Sequence, residues 1–402
     1  MAGVCVVAAV GVWYANDRLQ DLERVVITHA STSTAVGSDQ SAPGTAASAT
    51  IEPAPGNAQN FLLIGSDSRK DSCTDPNSPT AGGLGNVTSE LSDTIILVRV
   101  EPATSQAAIL SFPRDLWVTV SGTGRKAKIN SAYQPDNPSR LVQTIEENFG
   151  VFVDHTVQVS LCAFKSLVDA VGGVKVPFAF PTKDDTTGFS VDAGCITMDG
   201  DQALAYVRSR KDYQYMDGKG WHTDPTSDYG RIARQQDFIS RALQKAVDKG
   251  ARNINVARDL LDVALSNVVV DQNLTINDLL RLATTLRDFD PAQLRAHSYR
   301  VEGRGGSQGG ESVIIPDVEA PTTKAILEVF RGHARLSDIA PNDGSVSTTA
   351  AAPPAASTAP TTTTTAAGPT TAPPPGATTT LPVVDVAPNP LGISPPDDPT
   401  CR

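Results

Sequence analysis

The chain is short of the residues that mark many catalytic and recognition chemistries. Of its 402 residues only five are cysteine and five histidine. They show no CxxC pair, no HExxH and no other zinc-ligand spacing, which leaves no zinc centre to read. Aromatics make up 5% of the chain, and Lys plus Arg (33) fall below Asp plus Glu (44), for a net charge of −11. Without a basic face or an aromatic-rich basic stripe there is no footprint for non-specific nucleic-acid binding. A P-loop is also missing: Gly122-Thr123-Gly124-Arg125-Lys126 lacks its spacing and reads as a hairpin, and residues 303–310 read as a flexible glycine loop.

Large apolar side chains are scarce in two stretches. Residues 31–59 are mostly Ser, Thr, Ala, Gly and Pro, and beyond Pro341 a Thr/Pro/Ala tract begins. Neither can bury enough apolar surface to offset its ordering entropy, so both are expected to be disordered. One large domain over residues 60–338 remains, with 339–402 as a disordered tail. Residues 1–14 are almost wholly apolar. As a helix they would span ~21 Å, short of the ~30 Å hydrocarbon core. We read residues 1–15 as the end of a membrane anchor whose start is missing; a signal remnant and a buried helix are the alternatives. Residues 16–59 then hold a short polar helix, from Asp17 to Ile27, and a linker.

Inside the domain, continuous apolar runs at 60–64, 94–98 and 107–112 predict strands covered on both faces. Pro113 stops the third and places Arg114 and Asp115 at a strand exit, where open α/β sheets collect ligands. Ser139 is expected to cap a helix that Gly150 ends; a strand at 157–161, a helix at 164–171 and a strand at 174–178 follow. A helix from Asp199 delivers Arg208 and Arg210. Asp228 starts the longest amphipathic helix, and two more are expected at 256–266 and 276–289, the latter with a Thr275/Asp278 capping pair. A strand pair around the 303–310 loop and a helix near 320–330 complete the fold.

Arginines are what the chain does have, in distinctive settings. Arg69 follows Gly65-Ser66-Asp67-Ser68, Arg114 stands between Pro113 and Asp115, and Arg208 and Arg210 flank Ser209. Arg231, Arg234 and Gln235 lie within the first turns of the long helix. Arginine's planar fork binds phosphate oxygens bidentately and keeps its charge at any working pH. Arginines at a helix N-terminus oppose the macrodipole unless an anion binds there. A polyanion pocket is the reading, with Asp67 and Asp93 placed to hold a divalent metal on the same anion.

In this order the motifs resemble the LytR-CpsA-Psr family of cell-wall phosphotransferases. The likeness rests on Leu62-Leu63-Ile64-Gly65-Ser66-Asp67-Ser68-Arg69, Ser92-Asp93-Thr94, Ser111-Phe112-Pro113-Arg114-Asp115 and Val171-Gly172-Gly173-Val174. Its most specific parts are Asp199–Arg210 and Asp228-Tyr229-Gly230-Arg231-Ile232-Ala233-Arg234-Gln235-Gln236. The resemblance implies a three-layer α/β/α fold with a central mixed sheet and a long apolar groove for a polyprenyl chain. It implies transfer of a phosphoglycosyl polymer from a polyprenyl-pyrophosphate carrier to peptidoglycan with Mg²⁺ (or Mn²⁺), outside a membrane in which the N-terminus is anchored, and without nucleic acid. By motif position, Asp67 and Asp93 would hold the metal. Arg69, Arg114, Arg208, Arg210, Arg231, Arg234 and Gln235 would grip the pyrophosphate. Arg114, Arg231, Asp93 and Asp228 are the catalytic candidates, and Asp228, Asp93 and Asp115 compete for the role of base. Pyrophosphatase activity is a further expectation.

The chain departs from the family pattern in places. Leu91 stands where an arginine usually precedes Ser-Asp-Thr, and residues 70–89 make a long connection. Cys195 matches an actinobacterial cysteine that often forms a disulfide. An extracytoplasmic location would permit one or two disulfides among Cys73, Cys162, Cys195 and Cys401, with the pairing open and isolated buried thiols as the alternative. Three rival readings remain: a Cys/His transpeptidase using Cys162 or Cys195 with His155 or His222, a non-catalytic binder of lipid-linked glycans, and a transcriptional regulator. His155 and His222 otherwise read as polar structural residues.

Overall fold

In a computed structural model, residues 23–30, 58–66, 91–250, 268–275, 278, 294, 297–337, 381–389, 391–396 and 398–401 are described. The helices expected at 256–266 and 276–289 lie almost wholly outside these residues. At the second, the Thr275/Asp278 pairing is present: Thr275 N donates to Asp278 Oδ2 (2.9 Å) and Asp278 N to Thr275 Oγ1 (3.4 Å).

The three apolar runs become neighbouring strands, β2 (Gln59–Ser66), β3 (Ser92–Glu101) and β4 (Gln106–Ser111). They pair antiparallel, with Leu62 opposite Leu97 and Leu97 opposite Leu110. β7 (His155–Ser160) runs parallel to β2. β14 (Val268–Asp271) and β1 (Arg24–Val25) extend that edge, and β15 (Ser298–Arg300) lies parallel to β4 on the other. The result is a seven-stranded mixed sheet in the order β1-β14-β7-β2-β3-β4-β15.

Five helices have described bounds: α1 (Ser139–Phe149), α2 (Leu161–Ala170), α3 (Gly200–Arg208), α4 (Asp228–Gly250) and α5 (Pro321–Phe330). Strand side chains alternate between faces. Leu62, Ile64, Ile95, Leu97 and Leu110 enter a core with Ile145 and Phe149 of α1 and Ile326 and Phe330 of α5. Leu63, Ile96 and Ile109 face the other way, against Ile239 and Leu243 of α4. Covering both faces is why these strands carry no polar alternation, and it makes the expected α/β/α sandwich.

Smaller sheets decorate it. β5 (Trp117–Val120) and β6 (Arg125–Lys128) form the hairpin expected of the 122–126 glycines. The run at 303–310, expected as a flexible loop, is instead mostly a strand. β16 (Gly303–Gln308) pairs with β17 (Glu311–Pro316), and only Gly309 and Gly310, at φ 59° and 86°, turn. β8 (Val174–Phe178) pairs with β11 (Gly194–Met198). β9 (Thr182–Asp184), β10 (Phe189–Val191), β12 (Gln214–Asp217) and β13 (Gly220–Thr223) form a four-stranded flap.

Three expectations are corrected. Ser139 is the first residue of α1 and not its cap; its hydroxyl accepts from Thr28 N (3.0 Å) and donates to Val26 O (3.2 Å). The polar helix expected up to Ile27 is not formed over its described part. Arg24 and Val25 pair with Val270 and Asp271, and Ile27 is buried in the main core; the β-branched run from Val25 to Thr28 favours that extended form. Finally, the tail expected to be disordered from 339 onward is fixed at its far end. β18 (Arg335–Leu336) pairs with β19 (Val383–Val384), and Cys401 is fully buried in a disulfide with Cys195. Composition missed this because a few valines and one cysteine suffice to anchor the segment. Cys162 is also disulfide-bonded. No described helix is long and apolar enough to cross a membrane, and residues 1–15, expected as an anchor, lie outside the described set.

The N-terminal segment is tied down through His29, whose Nδ1 lies 2.8 Å from Glu146 Oε1, while Ala30 N donates to Glu146 Oε2 (2.8 Å). The Glu146 hydrogen bond raises the His29 pKa against the opposing effect of burial. The raised value means the protonated ring favours the folded contact. Its contribution is complete below the usual histidine range and is lost as pH rises through the raised pKa. Hydrogen exchange at Thr28 to Ala30 is therefore expected to accelerate on raising the pH through the His29 titration, beyond the intrinsic pH dependence. A His29→Gln variant should lose that extra step, and its persistence there would assign the step to another group.

Candidate active site

A cavity of about 540 Å³ opens between the sheet and helices α2, α3 and α4. Leu63, Ile96 and Val159 form its sheet wall, Phe164 and Leu167 of α2 and Ile239 and Leu243 of α4 the opposite one. Its polar end carries the cations Arg208, Arg210, Lys211 and Arg231, the carboxylates Asp93, Asp184 and Asp212, and Thr94 and Gln235. One end therefore suits an extended hydrocarbon and the other an anion.

Strand and helix ends bring the polar groups together. Asp93 is the second residue of β3. A Cβ on Gly65 would lie 2.8 Å from Thr94 Cβ, so the close approach of β2 to β3 at the site depends on glycine. Arg231 and Gln235 are four apart on α4 and share a face. Arg114 follows the end of β4 across Pro113.

The charged groups form one cluster. Arg114 Nη1 donates to Asp93 Oδ1 (2.5 Å), and Arg114 Nε lies 3.8 Å from both Asp115 Oδ2 and Asp228 Oδ1. Arg231 Nη2 donates to the Asp93 carbonyl (2.9 Å) and lies 2.8 Å from Asp228 Oδ1, with Nη1 3.6 Å from Asp93 Oδ2. Burial pushes the Asp93 carboxyl up, but Arg231 and Arg114 outweigh it and hold the group below its ordinary range. Burial lowers the Arg231 pKa, and Asp228 and Asp93 offset part of that; arginine remains cationic. Around Arg114, burial is overcome by Asp93, Asp228 and Asp115, and its pKa rises. Both Asp228 oxygens are buried and make no aligned hydrogen bond among the described residues.

Most of the predicted set assembles. Arg208, Arg210, Arg231, Gln235 and Asp93 line the cavity, with Arg114 and Asp228 against them. Gln235 Nε2 is held by Thr94 Oγ1 (3.0 Å) and the Val207 carbonyl (3.2 Å). Asp67 and Arg69 lie outside the described residues. Asp115 contacts Lys128 (3.1 Å) as well as Arg114. At Leu91, where the family usually places arginine, the side chain is half-buried, and Arg114 and Arg231 supply the positive charge around Asp93.

Arg234 is a correction. It is completely buried away from the cavity, its Nη1 donating to Asp224 Oδ2 (2.8 Å), its Nη2 to the Ser209 carbonyl (2.8 Å), and its guanidinium 3.9 Å over the Tyr213 ring. It braces α4 and grips no phosphate. Sequence reasoning also missed Thr94, Lys211 and the apolar walls. Lys211 directly follows Arg210, a signal that was readable; the walls resemble any packed core.

The Cys/His transpeptidase reading is overturned. Cys162 and Cys195 are both in disulfides. His155 is buried against Asp271 (3.2 Å), and His222 is paired with Asp217 (2.9 Å).

Among the described residues no group of three or more His, Cys, Asp or Glu is arranged to hold a metal. Asp93 nonetheless offers carboxylate oxygen at the anion end. Mg²⁺ characteristically takes one or two carboxylates and fills its shell with water and substrate phosphate oxygens, so the donor chemistry fits.

Known proteins are similar to this chain in sequence and fold. The family model LytR_cpsA_psr matches residues 25–326. A polyisoprenyl-teichoic acid–peptidoglycan teichoic acid transferase, TagU, from Oceanobacillus iheyensis is 33% identical over 63% of this chain and 69% of its own length. The cell wall biosynthesis protein LcpA of Corynebacterium glutamicum is 29% identical over 72% of this chain, which spans 58% of that relative. Among solved structures, a LytR-Csp2A-Psr enzyme from Actinomyces oris superposes with a TM-score of 0.54 at 21% identity, covering 77% of this chain and 95% of that one. TagV of B. subtilis gives 0.51 at 25% identity, over 68% and 97%.

Proposed function

The chain belongs to the LytR-CpsA-Psr family, and from that premise we propose that it transfers a glycopolymer to the cell wall. The reading is a Mg²⁺-dependent phosphotransferase that moves a phosphoglycosyl polymer from a polyprenyl-pyrophosphate carrier to peptidoglycan. The observation that carries it is the amphipathic cavity, with apolar walls running to Arg208, Arg210 and Arg231. A lipid diphosphate has that same division. The teichoic acid transferase relative acts on a polymer of the proposed class.

In the reaction, an acceptor hydroxyl oxygen bonds to the phosphorus that carries the glycan. The bond from that phosphorus to the bridging oxygen breaks, polyprenyl phosphate leaves, and the hydroxyl proton passes to a carboxylate. Phosphoryl transfer asks mainly for positioning and charge neutralisation, and Arg114, Arg208, Arg210 and Arg231 supply both. Asp93, held ionised by Arg231 and Arg114, is suited to charge or metal binding. Asp228 contacts the same two arginines through Oδ1, Arg231 at 2.8 Å and Arg114 at 3.8 Å, and is the base candidate through its other oxygen, Oδ2, which is buried with no hydrogen bond among the described residues. Asp67 and Asp93 would hold Mg²⁺ or Mn²⁺, which would neutralise phosphate charge when bound. Water in place of the acceptor hydroxyl would give pyrophosphatase activity. The disulfides support an oxidising, extracytoplasmic location, which we place on the outer side of a membrane reached by the apolar N-terminus.

Mass spectrometry of lipids co-purifying with the protein tests the reading. A polyprenyl phosphate or pyrophosphate is expected. Failure to retain or bind any such lipid would sink it, and binding without turnover in Mg²⁺ would favour a non-catalytic glycan carrier.

A further inference from the structure

The two residues between Asp228 and Arg231 are Tyr229 and Gly230, and the C-terminal segment bears on both, on Gly230 directly and on Tyr229 through Arg300. At Tyr229 the contact is relayed through Arg300. The Arg300 guanidinium stacks 4.5 Å over the Tyr229 ring, and its backbone is clamped from both sides by one residue. Arg300 N donates to Asn389 Oδ1 (2.8 Å), and Asn389 Nδ2 donates to the Arg300 carbonyl (3.2 Å). At Gly230 the contact is direct. Gly392 has φ +106°, and a Cβ there would collide with Thr226 Oγ1 and come within 2.6 Å of Gly230 Cα. Gly230 is equally confined, by Asp224, Thr226 and Arg234. Ser227, just before α4, itself holds a positive φ of 49°.

The segment is fastened on both sides of these contacts. Upstream, Val383 and Val384 pair with β18, and Tyr299 Oη donates to the Val386 carbonyl (3.0 Å). Downstream, Arg241 Nη2, farther along α4, donates to the Pro396 carbonyl (3.1 Å), and Cys401 is bonded to Cys195. The segment thus lies as a strap over the start of α4, closest at the residues that separate the base candidate from the phosphate-binding arginine.

We propose that this strap sets the position of the first turn of α4, with Asn389 and Gly392 as positioning residues for Asp228 and Arg231. Neither touches the cavity. Each acts through the backbone or ring of the intervening residues. The kinetic part of the inference rests on the phosphotransferase reading; the structural part does not.

The test uses the full chain and two readouts, transfer kinetics with a polyprenyl-pyrophosphate-linked glycan and hydrogen exchange of the backbone. A displacement of about 1 Å at a catalytic group costs about 100-fold in rate. Gly392→Ala is therefore expected to lower kcat by ~10- to 100-fold with KM little changed. Exchange at residues 229–232 should rise ~10-fold while β2, β3 and β4 keep wild-type protection. Asn389→Ala should do the same more weakly. Asn389→Asp, which keeps the acceptor for Arg300 N, should recover part of the loss. Val383→Ala, which keeps the backbone pairing with β18 and removes only an exposed side chain away from α4, should leave both readouts unchanged. If Gly392→Ala does not fold, the Asn389 pair decides. Wild-type kcat and exchange in the variants, or faster exchange spread evenly over the sheet, would overturn the proposal. A wild-type protein with no turnover, but with the exchange response confined to 229–232, would count against the phosphotransferase and leave the strap standing.

Discussion

Replacing Arg231 by alanine is expected to lower transfer by ~10³- to 10⁵-fold, the range a single arginine supplies to a phosphoryl transition state. Arg231 is 3% exposed and reaches Asp93 and Asp228 at once. Its loss removes a donor from the anion end of the cavity and leaves Asp93 and Asp228 with Arg114 as their nearest counter-charge among the described residues. Some loss of stability must accompany this, because a half-buried carboxylate without its counter-charge is costly. Arg231→Lys separates the two effects. Lysine restores the charge but not the planar fork, so it should recover most of the melting temperature and little of the rate. Turnover and thermal unfolding of both variants are the measurements. Near-wild-type transfer by Arg231→Ala would remove the arginine cluster from the mechanism.

Arg231 was legible in the sequence for a physical reason, and the same reason shows where legibility ends. Helix spacing tells which residues are neighbours but not which direction faces a ligand. Gln235, four residues on, is displaced about 40° around the helix from Arg231, and Arg234 about 60° the other way. That difference takes Gln235 into the cavity and Arg234 into the protein, towards Asp224. The central strands were legible because burial on two faces leaves unbroken apolar runs. The edge strand β1 was not. Two residues carry no periodicity, and their partners, Val270 and Asp271, are distant in the chain. The C-terminal strap was hidden by composition, since a Thr/Pro/Ala tract masks the few residues beyond it that bind. The apolar walls, Phe164, Leu167, Ile239 and Leu243, were readable only as helix core, because a cavity wall and a core face have the same pattern.

Arg234 separates those alternatives experimentally. Were it a phosphate ligand, as its spacing suggests, Arg234→Ala would weaken binding of a prenyl pyrophosphate and leave stability near wild type. The structure requires the reverse. Arg234 and Asp224 are both fully buried and joined at 2.8 Å, so alanine strands a carboxylate in the interior. Breaking such a pair from one side costs about 3–5 kcal/mol, which in a domain of this size lowers the melting temperature by roughly 10 °C. Burial raises the Asp224 pKa, but its bonds from Thr226 and then Arg234 outweigh that and hold it low. A depressed carboxyl stabilises the fold above its unfolded pKa and loses that contribution as pH falls through the folded value. Without Arg234 the group is easier to protonate, so the acid limb of the variant's stability should move to higher pH. Well below its melting temperature the variant should still bind prenyl pyrophosphate, since Arg208, Arg210 and Arg231 remain. Weakened binding with an unchanged melting temperature would return Arg234 to the site. A lowered melting temperature with retained binding would make it the brace on which α4, and through it Arg231, is set.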